Sequence, residues 1–140
     1  MEVKSKNFED FKVGEKASIT KTFTEQDVFL FAELSGDFNP IHIDKDFAEK
    51  TFFKQRIAHG FLVGSLLSTI IGTKLPGHGT IYLSQALNFK APVFLGDTIY
   101  AEVEIIEKIT AKSRLKLKTV CCNQKGVVVI EGEALVIAGR

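Results

Sequence analysis

Ile57-Ala-His-Gly-Phe-Leu-Val-Gly-Ser-Leu-Leu-Ser-Thr-Ile-Ile-Gly-Thr73 carries no charge, and how it is read decides the fold. Gly, Ser, Thr and His interrupt it, so it falls short of the roughly 18 consecutive apolar residues that a membrane span needs. It reads instead as a buried core helix beginning near Ala58 or His59. Beyond it the period changes. Residues 80–90, 98–109, 112–122 and 127–138 are four strand-like runs. Ala91-Pro92 and Gly96-Asp97 punctuate the first junction, Thr110-Ala111 the second and residues 123–126 the third, each short enough for an antiparallel hairpin. Leu115, Leu117 and Thr119 alternate with Arg114, Lys116 and Lys118, giving the sheet one apolar and one wet face. The helix must cover the apolar face. The expected class is α+β, an antiparallel sheet around one buried helix.

Upstream, residues 16–23 are a strand candidate, added at an edge of the sheet or inside it. Thr24 then opens a helix: its hydroxyl can cap the Asp27 amide, Val28, Phe31 and Leu34 recur at helical spacing, and Gly36 stops the run. Residues 37–43 read as a loop. Asp44 caps a short helix to about Thr51, and a basic loop with Lys54 and Arg56 leads into the long helix.

With 140 residues, 45% of them hydrophobic, and neither repeat nor linker, the chain is expected to be one domain over 1–140. A charged fraction of 25% with a net charge of only +1 excludes a disordered chain, and it leaves no basic footprint for nucleic acid or anionic lipid. The partner is expected to be small and specific. Residues 1–12 hold no apolar signal-peptide core, so a cytoplasmic protein is expected. Cys121 and Cys122 are adjacent in a strand and face opposite ways. They read as packing residues suited to a reducing compartment.

The chemistry concentrates in Phe31-Ala-Glu-Leu-Ser-Gly-Asp-Phe-Asn-Pro-Ile-His42, followed by Ala48. Gly36 permits the turn out of the helix and Pro40 restricts Asn39 to extended geometry, so Asp37 and His42 can be held in a fixed relation. Such a pair can grip one water, the carboxylate accepting its proton and the imidazole orienting it or shuttling the proton. The same residues read equally well as a helix end followed by a turn. Gly60 falls in the first turn of the long helix, where amides lack intrahelical acceptors and the dipole favours developing negative charge. His59 reads as a helix-start or packing histidine, and His78 as a turn residue. No metal site is expected, since no recognised ligand spacing is present and Asp44 is accounted for as a cap. No Gly-rich phosphate loop appears, so no nucleotide cofactor is implied.

The segment from Phe31 to Ala48 resembles the signature of the MaoC-like (R)-specific enoyl-CoA hydratases, matched at Phe31, Leu34, Ser35, Gly36, Asp37, Asn39, Pro40, Ile41, His42 and Ala48. The likeness continues through Ile57-Ala-His-Gly60 and from Leu83 to Asp97. It implies the hot-dog fold, a cofactor-free hydro-lyase and a homodimer acting on an acyl-CoA thioester. Asp37 and His42 would be catalytic, the Gly60 amide would hold the thioester carbonyl, and Ser68, His59 and Phe61 would contact substrate. Gly60, Gly64, Ser68 and Gly72 form a stripe of small residues, which reads either as close packing against a strand or as the wall of an acyl tunnel. Related readings are dehydration on an acyl-carrier protein, a thioesterase, or an acyl-thioester binding protein on the same fold. Reactions of this kind supply monomers for polyhydroxyalkanoate and serve fatty-acid metabolism.

Overall fold

The computed structural model describes residues 6–139. The first five residues of the amino-terminal stretch, and Arg140, lie outside them. Six strands, β1 (Lys16–Thr22), β2 (Ile81–Gln85), β3 (Asn88–Phe89), β4 (Thr98–Ile109), β5 (Arg114–Cys122) and β6 (Val128–Ile137), make one antiparallel sheet. The helices are α1 (Glu25–Ser35), α2 (Pro40–Ile43), α3 (Lys45–Glu49) and α4 (Gly60–Thr73). The strand order is β1-β4-β5-β6-β2, with β3 continuing along β6 beyond β2.

The helix α4 lies across the apolar face of the sheet. Its Val63, Leu66, Leu67, Ile70 and Ile71 share one core with Ile99, Val103 and Ile105 of β4, Leu115 and Leu117 of β5, and Val136 of β6. Alternation places these strand residues on one face. Each such side chain, fully buried, contributes about 1.5–3 kcal/mol. A sheet wrapped on one long helix is the hot-dog arrangement. No helix among the described residues is long and apolar enough to cross a membrane.

Four expectations are corrected. The junction between β3 and β4 is not a hairpin: β3 pairs with β6, whereas β4 pairs with β1 and β5. Residues 80–90 are two strands, broken at Ala86-Leu87. There the Ala86 carbonyl is pressed against Gly132, where a Cβ would collide with it, while Gln85 Nε2 donates to Ala86 O at 2.8 Å and to buried Thr119 Oγ1 at 3.0 Å. Residues 37–43 are only partly loop, since Pro40–Ile43 is a helical turn with Pro at its first position, where the missing N–H costs nothing. Leu34 is 84% exposed, and α1 buries Val28 and Ala32 instead.

Candidate active site

Local chemistry delivers Asp37 to its position. Thr24 and Asp27 close a reciprocal capping box at the start of α1 (Asp27 N–H to Thr24 Oγ1 3.1 Å, Thr24 N–H to Asp27 Oδ2 2.9 Å). The Thr24 amide, together with nearby Lys21, holds the Asp27 carboxyl below its usual range. At the other end Gly36 takes the left-handed conformation, φ +82°, and its N–H reaches Ala32 O at 2.8 Å. The Ser35 hydroxyl donates to Phe31 O and accepts the Asp37 N–H. Asp37 Oδ1 in turn accepts the Asn39 N–H at 3.2 Å, and Asn39 Oδ1 accepts the Ile41 N–H, capping α2. Ser35, Asp37 and Asn39 thus form one continuous chain of side-chain caps. Asp44 caps α3 through the Phe47 amide.

His42 is held from the opposite side. Its Nδ1 faces Ile57 O at 2.7 Å, and the Ile57 N–H reaches back to Ile41 O at 3.2 Å. A ring nitrogen facing a carbonyl carries the hydrogen, so the neutral ring keeps its lone pair on Nε2. Ala58 N–H bonds to Val93 O at 2.7 Å, which pins the strand-like entry into α4. His59 follows as the residue that precedes the first helical turn, 2% exposed. Its ring stacks on His42 (centroids 3.8 Å apart, planes at 29°) and tilts against Phe31 at 4.8 Å. Its Nε2 lies 3.0 Å from Asp37 O, and its Nδ1 is buried with no partner.

One carboxylate oxygen of Asp37 and one ring nitrogen each of His42 and His59 lie within 4.8 Å of one another. A metal would need the two imidazole lone pairs to converge. Stacked rings direct them along nearly parallel planes rather than to one point, so the set does not fit an ion. A gap of that size is one that a water can span with two hydrogen bonds of about 2.8 Å.

Beside this cluster opens an apolar cavity of about 460 Å³, walled by His42, Phe53, Gly60, Phe61, Phe89 and Val93 among others. Gly60 at the head of α4 and His42 therefore line one space, whereas Asp37 is exposed and is not among the residues that line it. Phe61 is in the wall. His59 is not, being sealed behind His42, and neither is Ser68, which lies exposed farther along α4. At Gly60 a Cβ would fall 2.5 Å from Phe89 Cε1, and at Gly64 3.3 Å from Leu87 Cδ1, so both glycines admit side chains from the β2–β3 run. Gly72 meets nothing. Phe53 and Phe89 as wall residues were missed in the sequence, where each looks like any other apolar residue of a loop or strand.

Burial lowers the His42 pKa below its usual 6.5, with the neighbouring His59 adding to the effect and the Ile57 carbonyl and Asp37 opposing it. The folded state therefore binds fewer protons than the unfolded chain as pH falls through about 6.5. Stability from this group is fully present above that pH and is lost as pH drops through the lower folded value. The midpoint of urea unfolding should fall between about pH 7 and about pH 5.5, and less steeply in His42→Gln. An equal fall in both proteins would assign the effect elsewhere.

The MaoC like domain family matches residues 9–126, and the chain belongs to that family. It is 49% identical over 130 residues to the (R)-specific enoyl-CoA hydratase of Rhodospirillum rubrum, covering 93% of this chain and 90% of that one. The solved (R)-hydratase of A. caviae, involved in PHA biosynthesis, superposes with a TM-score of 0.90 at 45% identity, covering 92% of this chain and 98% of that one. The unliganded R-hydratase of Pseudomonas aeruginosa gives a TM-score of 0.91 at 46% identity, with 97% and 87% covered.

Proposed function

We propose that this chain is an (R)-specific enoyl-CoA hydratase, adding water reversibly to a trans-2-enoyl thioester to give the (R)-3-hydroxyacyl thioester. The observation that carries the reading is the approach of an Asp37 carboxylate oxygen and a His42 ring nitrogen to within 4.8 Å, with His42 and Gly60 both lining one apolar cavity. Asp37 takes a proton from the water as its oxygen bonds to C3. The C2–C3 π pair moves toward the thioester, whose oxygen gains charge that the Gly60 N–H stabilises at the positive end of α4. His42 holds the water through its Nε2 lone pair, and the proton taken up by Asp37 passes by way of that nitrogen to C2, leaving both groups as they began. One proton leaves the water and one reaches carbon, so the balance needs no oxidant or reductant.

The test is a single assay. Loss of enoyl absorbance without release of free thiol is the expected result, whereas thiol release would make the chain a thioesterase, and binding with neither change would make it a carrier.

Several features support a homodimer in the cytoplasm. Phe52 is 92% exposed and Phe61 71%, and Phe89 at the cavity wall is half exposed, an apolar rim that a second copy would cover. The two cysteines are unpaired, as a reducing compartment favours. Sedimentation at micromolar concentration should give twice the 15.5 kDa chain mass; a fully active monomer would refute the dimer.

A further inference from the structure

Three features stand out beyond the reacting groups. Arg114, whose buried Nε has no partner among the described residues, lines with Lys112 and Ile137 a cavity of about 440 Å³ at the β4–β5 turn, but the chain end follows Ile137 closely and Arg140 is not described. The exposed phenylalanines belong to the dimer face already proposed. The third is His59, a nearly inaccessible imidazole that the reaction as written leaves without a task.

His59 occupies a peculiar position in the chain. It immediately precedes Gly60, whose amide is the carbonyl donor, and it reaches across 22 residues to bond the backbone of Asp37. Its flat face lies against His42. Its side chain therefore touches two parts of the site, its backbone continues into the third, and it does not line the cavity. Among the described residues its buried Nδ1 has no partner, a cost that a phenyl ring filling the same space would not carry. Packing alone would favour the hydrocarbon.

We propose that His59 is a positioning residue: its Nε2–H bond to the Asp37 carbonyl and its stacking against His42 fix the carboxylate and the imidazole relative to the Gly60 amide. This rests on the hydratase reading, in which those three groups must address one substrate together. A misplacement of about 1 Å in such a constellation can cost on the order of 10²-fold in rate.

Two variants separate this role from packing. His59→Phe keeps the aromatic volume and the stacking but removes the donor. The Asp37 carbonyl loses its donor while the ring loses an unpartnered buried nitrogen, so the two costs offset and the variant should melt close to the wild-type temperature. Its kcat should fall by about 10- to 100-fold with KM changed less than about threefold, the pattern of lost transition-state alignment. His59→Gln, whose amide nitrogen can reach toward the same carbonyl, should recover part of that loss. A His59→Phe enzyme with kcat within about twofold of wild type, a Gln variant no faster than Phe, or a rise in KM alone would each overturn the proposal. Crystal structures of both variants provide a readout that needs no turnover: the Asp37 loop and the His42 ring should shift in the Phe variant and return in the Gln variant. If the wild type fails to hydrate enoyl thioesters yet this shift is seen, the positioning role stands and the reaction assignment falls; if hydration is robust and neither rate nor loop responds, the positioning role falls alone.

Discussion

Asp37→Asn is expected to lose about 10²- to 10⁴-fold in hydration rate, the range typical of removing a general base, with the fold intact. The structure explains both halves. Asp37 is exposed, and its one described side-chain bond is Oδ1 accepting the Asn39 N–H. An asparagine Oδ1 can accept the same hydrogen, so the turn into α2 survives, and the Ser35 and Gly36 caps above it are untouched. What disappears is an oxygen able to take a proton from water. Steady-state kinetics alongside a thermal melt checks this, and a near-normal kcat would reduce the segment to a well-capped turn.

The second large effect lies at His42. His42→Gln can keep a donor toward Ile57 O, but an amide cannot take up and release a proton, so a loss of similar size is expected, about 10²- to 10⁴-fold. In the proposed mechanism the two groups share one water, so removing either leaves it unactivated or misheld. The double variant should then be barely slower than the slower single one, since effects of groups acting as a unit do not add. KM should change little, because the Gly60 amide is untouched. If the two losses multiply instead, Asp37 and His42 act in separate steps.

Sequence reading reached furthest where structure is local. The capping box at Thr24 and Asp27, the left-handed stop at Gly36 and the Asp44 cap each depend on residues within one turn, and each stands where spacing put it. Strands β4, β5 and β6 were legible to within two residues at each end, because one face is buried and alternation shows. The helical turn at Pro40 was readable in principle, since Asn-Pro is as good an N-cap and first position as it is a turn. The pairing of β3 with β6 and the break at Ala86 were not, since they depend on the absence of a side chain at Gly132, more than 40 residues away. Asp37 and His42 were visible as a spaced pair, but the stack of His42 on His59 joins segments that only the fold brings together.

The site residues hang on short pieces of chain. The helices α2 and α3 have four and five residues, too few to hold themselves in water. His42 to Ile57 and Ile57 to Ile41 hold the segment together, while contacts such as His59 to Asp37 and Arg56 to Glu25 at 2.9 Å moor it to the body. The long strands, by contrast, are laced together by extended ladders over a sealed core. Opening of residues 37–57 therefore costs far less than melting the sheet, and the chain breathes unevenly. Mild heat or denaturant would silence such a protein while most of its backbone amides stayed protected. A spectroscopic melt dominated by β structure would then overstate the temperature at which it still works.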